Sequence, residues 1–244
     1  MDRMIYVAMT GAKQVMEQQS NTAHNLANLG TTGFRAQLDS FRSVPVEGQA
    51  LPTRAFVLDA TTGSDFSQGV VQQTGNPLDV AIKGDGWIAL QAADGSEVYS
   101  RAGNLSVSDG GVLVGQGGLA VAGDGGPITV PPEGRPSIAP DGTVSVMDAR
   151  GVSNAVGRIR LVNPPAADLQ RGDDGLFRTK SGEAPDADAM VRLASGSIEA
   201  SNVNAVDAMV NLIALSRAFD LQMSLMKNAE SNEAKASQIL SMNP

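Results

Sequence analysis

Apolar residues recur at helical spacing near the N-terminus of this 244-residue chain. The spacing alternates between three and four residues, which is the heptad pattern of a helix with one apolar face. The positions are Ile5, Ala8, Ala12, Val15, Gln19, Thr22, Leu26 and Leu29, of which Gln19 and Thr22 are polar exceptions. The pattern predicts a helix from Met4 to Leu29, and Gly30 is a candidate left-handed cap at its end.

The C-terminal segment repeats this alternation without a glycine or a proline. It predicts a second helix from Val203 to Leu240, with Ser201 and Asn202 as candidates for the N-cap. The apolar positions are Ala205, Ala208, Leu212, Leu215, Phe219, Gln222, Met226, Ala229, Glu233, Ala236 and Leu240, of which Gln222 and Glu233 are polar exceptions. Both patterns predict long helices of the coiled-coil type.

Between the predicted helices the chain is rich in tight-turn signals. Asp-Gly pairs favour chain reversals because both residue types tolerate positive φ. They occur at positions 85–86, 94–95, 109–110, 124–125, 141–142 and 174–175. Short β-type runs alternate with them at 80–82, 87–90, 112–114, 128–130, 144–147 and 158–161. Strands that follow one another without intervening helices predict an antiparallel all-β domain.

The predicted fold class is therefore α+β. Long N- and C-terminal α-helices of the coiled-coil type flank a central antiparallel all-β domain. The predicted boundaries are an N-terminal helical segment at 1–34, an extended connector at 35–74, the β domain at 75–199 and the C-terminal helix at 200–244.

Composition narrows the chemistry that this chain could perform. There is no cysteine, so disulfides, thiolate metal sites and cysteine nucleophiles are excluded. The formal net charge of −8 disfavours binding to nucleic acid, which requires clustered Lys and Arg. The N-terminal residues lack the basic start and the apolar stretch of a cleavable secretory signal. No run of about 18 apolar residues is present, so we expect no membrane insertion.

Candidate catalytic residues are few. His24 is the one histidine, and it lies within the first predicted helix, where we expect a non-catalytic role. The Asp-Gly pairs are more typical of hairpin turns than of calcium loops, which cluster several oxygen ligands. A carboxylate pair for glycoside hydrolysis stays open, although one Trp, two Tyr and six Phe leave little material for a sugar-stacking cleft. We predict no catalytic, cofactor-binding or metal-binding residues, and no cofactor.

Three blocks of sequence resemble one known family. The run 23–28, Ala-His-Asn-Leu-Ala-Asn, followed by 31–35, Thr-Thr-Gly-Phe-Arg, is similar to the N-terminal signature of the bacterial flagellar rod and hook proteins. The run 201–204, Ser-Asn-Val-Asn, is similar to that family's C-terminal signature. The segments 75–87 and 99–104 resemble the β-domain segments of the rod proteins.

The resemblance implies a non-enzymatic structural subunit of the flagellar basal-body rod, which crosses the periplasm and transmits torque. It implies that the terminal helices together form an inner rod domain, with the β domain outside. The implied partners are other rod subunits, proximal and distal, and the flagellar type III export apparatus, with no cleaved signal peptide. Length, opening residues and the compact connector are most similar to the proximal-rod members. A distal-rod or hook-type subunit is the alternative, and an exported β-rich glycan hydrolase is a remote one.

The resemblance and the helical patterns together suggest which residues form the assembly interface. They lie on the two predicted helices and at the junctions where the helices meet the connector and the β domain. The predicted interface residues are Ile5, Ala12, Asn25, Leu26, Asn28, Gly33, Phe34, Asn202, Val203, Asn204, Leu212 and Phe219.

Overall fold

A computed structural model describes residues 2–45, 55–132, 134–148 and 150–241 of the chain. The described residues separate into two compact units. The helical unit comprises Met1–Asn28, Ala36–Asp65 and Val203–Pro244, and the β unit comprises Leu29–Arg35 and Phe66–Asn202.

In the described part of the helical unit there are two α-helices and one β-hairpin. Helix α1 spans Asp2–Ala27 and helix α2 spans Ala205–Ser241, and the two helices pack against each other. Strands β1 (Gln37–Pro45) and β2 (Ala55–Ser64) pair antiparallel, with a register shift between Ser40 and Phe41. These strands lie within the segment 35–74 that the sequence predicts to be a connector.

The β unit is built from short antiparallel strands. They are β3 (Val71–Gln73), β4 (Val80–Lys83), β5 (Trp87–Gln91), β6 (Glu97–Ser100), β7 (Ser106–Val107), β8 (Leu113–Val114), β9 (Ala120–Gly123), β10 (Gly126–Pro127), β11 (Arg135–Ile138), β12 (Thr143–Met147), β13 (Ser153–Arg158), β14 (Leu161–Val162), β15 (Leu169–Arg171), β16 (Phe177–Thr179), β17 (Arg192–Ser195) and β18 (Ser197–Glu199).

Four sheets organise these strands. The largest runs in the order β15-β16-β6-β5-β9-β8-β7, with β10 paired to β9 and β14 paired to β5. A three-stranded sheet has the order β11-β12-β13, and two-stranded sheets join β17 to β4 and β18 to β3. The shared core consists of large branched side chains with almost no exposure, among them Ile88, Leu90, Val98, Leu113 and Leu193.

The predicted antiparallel β region is confirmed, with local differences. Gly95, Gly142 and Gly175 have φ of 84°, 87° and 78°, as tight turns at Asp-Gly pairs require. Four of the predicted runs correspond to β4, β5, β8 and β12. The run 128–130 forms an isolated bridge through Thr129, and the run 158–161 divides between the end of β13 and the start of β14.

The helix ends differ from the prediction. Helix α1 ends at Ala27, and the residue with positive φ after it is Gly33, at 67°, instead of Gly30. At α2 the cap is Asn204, because its Oδ1 accepts the N–H of Val206 at 3.0 Å. A side-chain oxygen one residue before the helix can satisfy these free amides, whereas Ser201 and Asn202 lie too far upstream.

The predicted fold class was wrong in one respect. The structure is α+β, with one N-terminal helix, one C-terminal helix and a mostly β central region, but long coiled-coil helices are not shown. A coiled coil buries large apolar side chains along the seam of each helix. Within the described residues of α1 and α2, the buried apolar side chains are alanines: Ala8, Ala12, Ala208 and Ala229. The heptad spacing was present in the sequence, but side chains this small do not form interlocking knobs.

Candidate assembly site

The chain crosses between the two units after residues 28, 35, 65 and 202. Inside the β unit, the segments next to these crossings bond to one another. The N–H of Gly33 donates to the carbonyl oxygen of Glu199 at 2.8 Å, and the N–H of Asn202 donates to that of Phe34 at 3.3 Å. The Asn202 side chain donates to the carbonyl oxygen of Ser67 at 3.1 Å. Segments far apart in sequence are therefore joined at one place.

Three buried charged side chains lie at the centre of this junction between segments. We name Arg35, Arg101 and Glu199 the junction cluster; their side chains are 1%, 3% and 1% exposed. Glu199 Oε1 lies 2.8 Å from Arg35 Nη2, and Glu199 Oε2 lies 3.0 Å from Arg101 Nη1. Oε1 also accepts the N–H of Gly69 at 2.9 Å. One carboxylate is thus shared by two buried guanidinium groups, so removal of Glu199 would leave two buried positive charges without a partner.

Neighbouring contacts fix the arginines of the junction cluster. Arg101 Nη2 donates to the carbonyl oxygen of Gly84 at 2.8 Å, and Arg35 Nη1 donates to that of Ser67. Arg171 Nη1 donates to the carbonyl oxygen of Arg35 at 2.8 Å, while its guanidinium lies 4.5 Å from the centre of the Phe34 ring. Burial lowers the pKa of Arg171, which keeps its charge at any ordinary pH.

Gly33 shows why a glycine is required beside the junction cluster. A Cβ at this position would lie 2.3 Å from the backbone nitrogen of Ala102 and 2.3 Å from the carbonyl carbon of Arg101. Its φ of 67° is also a conformation that side chains disfavour. Gly33 is thus a point of close backbone approach inside the β unit.

Asn25 performs a comparable role inside the helical unit. Its Nδ2 donates to the carbonyl oxygen of Gln37 at 2.9 Å, and its Oδ1 accepts the N–H of Gln37 at 2.8 Å. One turn earlier, Asn21 Nδ2 donates to Asp39 Oδ1. The side-chain amide of Asn25 therefore takes the place of a neighbouring strand and ties α1 to β1.

The structure distributes the predicted interface residues over both units. Gly33, Phe34 and Asn202 lie around the junction cluster, whereas Asn25 binds β1 and Asn204 caps α2. Asn28 closes the end of α1 by donating from Nδ2 to the carbonyl oxygen of His24 at 2.9 Å. Ala12 is buried within the helical unit, while Ile5, Leu26, Val203, Leu212 and Phe219 are half-buried.

Helix α2 also carries an exposed apolar face that the sequence analysis did not single out. We name Val206, Val210, Ile213 and Leu221 the outer face of α2; they are 68%, 59%, 54% and 66% exposed. Their spacing of four, three and eight residues places them on one side of the helix. A second apolar stripe beside the predicted one was visible in the sequence and could have identified this face.

Helix α1 also carries large apolar side chains that are exposed. Tyr6, Met9 and Met16 of α1 are 53%, 51% and 63% exposed. Both helices therefore leave large apolar side chains in water after they have packed within the chain. Contiguous exposed apolar surface of this kind is typical of protein-protein interfaces.

The residues considered for chemistry have structural contacts. His24 is exposed on α1, and its Nε2 lies 3.4 Å from Asn28 Nδ2. Asp94 and Asp141 accept hydrogen bonds from Ser96 and Thr143 of their own turns, and Asp174 accepts hydrogen bonds from the side chain of Arg178; these bonds lower the pKa of all three carboxyl groups. Within 2–45, 55–132, 134–148 and 150–241, no group of three or more His, Asp or Glu could hold a metal ion. Over the same ranges, no helix is long and apolar enough to cross a membrane.

Comparison with known proteins supplies the family. Residues 194–239 match the family model of the flagellar basal body rod FlgEFG protein C-terminal region, and residues 81–146 match that of the flagellar hook protein FlgE/F/G D1 domain. The flagellar basal-body rod protein FlgF of Escherichia coli K12 is 46% identical, over 99% of this chain and 100% of the relative. This chain belongs to the flagellar basal-body rod protein family.

Other members of the rod protein family are more distant. FlgF of Caulobacter vibrioides is 32% identical over 93% of this chain, and the basal-body rod protein FlgG of Bacillus subtilis is 29% identical over 93% of it. The predicted rod protein family is confirmed, and the similarity to FlgF exceeds the similarity to FlgG. The C-terminal family match covers Glu199 of the junction cluster and the outer face of α2.

Proposed function

We propose that this chain is a structural subunit of the flagellar basal-body rod, located in its proximal part. The observation that carries the proposal is the 46% identity to Escherichia coli FlgF over nearly the whole of both chains. In this function the subunit assembles with other rod components and transmits torque by packing, without enzymatic activity. The family resemblance associates FlgF with the proximal rod, and the identity to the FlgG relative is lower, at 29%.

The outer face of α2 is our candidate for the contact with neighbouring rod subunits. Its side chains are apolar and more than half exposed, so covering them would release ordered water and favour association. The predicted interface residues Leu212 and Phe219 lie on the same helix and are half-buried. Leu26, Asn28 and Val203 remain predicted interface residues in this proposal, because a half-buried side chain can contact a neighbour as well as its own chain.

The proposed export route is the flagellar type III apparatus, without a cleaved signal peptide, and the proposed location is the periplasmic rod. Both rest on the family resemblance. The glycan-hydrolase alternative finds no support among the described carboxylates. Asp94 and Asp141 bond within their own turns, Asp174 pairs with Arg178, and Glu199 is held between two arginines.

The test is complementation of a strain that lacks the gene. The unaltered chain should restore swimming and complete basal bodies. Ile213→Asp, on the outer face of α2, should restore neither, although the purified variant keeps the stability of the unaltered chain. Asn211→Asp adds the same charge at an exposed position on another side of α2 and serves as the matched control.

Three outcomes decide between the proposals. Full motility with Ile213→Asp would reject the outer face of α2 as an interface. Normal basal bodies in the strain without the gene would reject the rod function itself. A rod that stops after its proximal part in that strain would place the subunit in the distal rod.

A further inference from the structure

Strand β3 is an exposed edge of a two-stranded sheet, and it carries no charged side chain. Its register places Val71, Gln72 and Gln73 opposite Glu199, Ile198 and Ser197 of β18, its one sheet partner among the described residues. All three β3 residues are exposed. Val70 and Val71 are 71% and 50% exposed, so two β-branched side chains stand in water beside an open strand edge.

The hydrogen bonds show which backbone groups face outwards. The N–H of Thr74 donates to the carbonyl oxygen of Gly196 at 2.8 Å, and the N–H of Ala200 donates to that of Val70 at 2.9 Å. Residues 70, 72 and 74 therefore direct their backbone groups towards β18. Because these directions alternate along a strand, the N–H and C=O groups of Val71 and Gln73 point to the free edge.

The edge is also held rigidly in place. Glu199 Oε1 of the junction cluster accepts the N–H of Gly69 at 2.9 Å, just before β3 begins. A Cβ on Gly69 would lie 1.9 Å from the carbonyl oxygen of Ala200, so the two backbones are in close contact. After β3, Thr74 Oγ1 donates to Asp79 Oδ2 at 2.6 Å. A strand that is fixed at both ends loses little conformational entropy when it pairs with another strand.

Proteins usually protect free strand edges with a charge or a proline. Here β11 carries Arg135 and Pro136, β13 carries Arg158 and β17 carries Arg192. By contrast, residues 66–78, which include β3, contain no Asp, Glu, Lys or Arg. Two copies of a chain with net charge −8 repel each other, so an uncharged strip is where they can approach at least cost.

We propose that β3 is a docking edge for β3 of a second copy of this chain. Two identical strands pair antiparallel about a twofold axis at Gln72, which is an isologous contact. Val71 of one copy then lies opposite Gln73 of the other, and the outward N–H and C=O groups of these residues exchange hydrogen bonds. Gln72 of one copy faces Gln72 of the other, in a pair without backbone hydrogen bonds. The contact is small, so the dimer is weak and reversible.

Single-cysteine variants of the full chain test the register, since the natural chain has no cysteine. Directly opposed residues of a non-hydrogen-bonded antiparallel pair have Cα atoms about 4.5 Å apart, which is suitable for a disulfide. We expect Gln72→Cys to give a disulfide-linked dimer under mild oxidation. Its yield should exceed several-fold those of Val71→Cys, which is out of register, and of Met190→Cys, at a side chain that is 82% exposed.

Sedimentation of the purified chain over a dilution series gives an independent measurement. The unaltered chain should show a monomer–dimer equilibrium, and Val71→Lys should stay monomeric. Val152→Lys is the matched control, because Val152 is 53% exposed and the charge change is the same. It should dimerise as the unaltered chain does.

Two results would overturn the proposal. A monomeric unaltered chain, with Gln72→Cys no more reactive than Met190→Cys, would mean that β3 is not an edge for a second copy. A dimer that persists in Val71→Lys would place the self-contact on another surface. Rod assembly is measured separately by motility, so failure of the β3 contact is distinguishable from failure of the rod function.

Discussion

The two units of this chain bury different kinds of side chain. In the β unit, large residues such as Leu90, Val98 and Leu193 are completely buried. Among the described side chains of α1 and α2, the buried apolar ones are alanines, while Ile213 and Leu221 remain more than half exposed. The β unit therefore completes its core within one chain, whereas the helices retain apolar surface that a neighbouring subunit can cover.

The largest effect on this contrast is expected at the junction cluster of the β unit. Glu199→Gln removes the charge between two buried guanidinium groups and should lower the free energy of unfolding by about 3 to 5 kcal/mol. Urea unfolding followed by the fluorescence of Trp87, the one tryptophan in the chain, measures this in the β unit. Glu230→Gln, at an exposed position on α2, is the control and should change nothing. Equal stability of the two variants would contradict the role assigned to the cluster.

A matched pair of valines compares the two units directly. Val98→Ala, at a fully buried site of the β unit, should cost about 1.5 to 3 kcal/mol of unfolding free energy, because two methyl groups are removed from a packed core. Val210→Ala, at a site of the helical unit that is 59% exposed, should change it by less than about 0.5 kcal/mol. Thermal unfolding of both purified variants by circular dichroism is the measurement. Similar losses in the two variants would remove the distinction between the units.

A smaller effect is expected at Asn25 in the helical unit. Asn25→Ala leaves the N–H and C=O of Gln37 without their side-chain partner and should cost about 1 to 2 kcal/mol. Hydrogen exchange should show faster exchange of the Gln37 amide, with unchanged protection of β5 and β6 in the β unit. Asn228→Ala, at an exposed position on α2, is the matched control. Unchanged exchange at Gln37 would show that the pairing adds no protection.

The smallest effect is expected at Tyr99, whose titration should lower the stability of the β unit at alkaline pH. Burial of Tyr99 raises the pKa of its hydroxyl above the ordinary value of 10, and neighbouring Glu97 adds to the shift. The neutral form is favoured in the folded state, so this stabilisation is complete below about pH 10 and declines as the pH rises further. Melting temperatures between about pH 8 and pH 11 should fall less steeply for Tyr99→Phe than for the unaltered chain. Parallel pH profiles would contradict this assignment.

Local signals predicted much of the β unit. Asp-Gly pairs mark turns because the required positive φ is a property of a single residue, as at Gly95 and Gly142. The junction cluster was not predictable in this way. Arg35, Arg101 and Glu199 lie far apart in the sequence, and only the fold brings one carboxylate between two guanidinium groups.

For the two helices, the sequence predicted the ends but not the packing. Their ends were predicted to within about two residues, but heptad spacing alone did not reveal how the helices pack. The spacing of apolar residues indicates which residues share a helix face, whereas their burial depends on side-chain size and on what covers that face. Asn25 illustrates the same limit, since the sequence did not show that its amide pairs with Gln37 of the same chain; its place at an assembly interface stays a prediction.

The β1–β2 hairpin has a consequence for protein engineering. The N–H of Asp65 donates to the carbonyl oxygen of Ala36 at 2.8 Å, so the hairpin enters and leaves at a closed base. Just outside that base, Arg35 belongs to the junction cluster and Phe66 packs on Trp87 at 5.9 Å between ring centres. Both flanks are anchored independently of what lies between them. The hairpin is thus an insertion point whose length can be changed, or which can receive a peptide tag, without altering the core of the β unit.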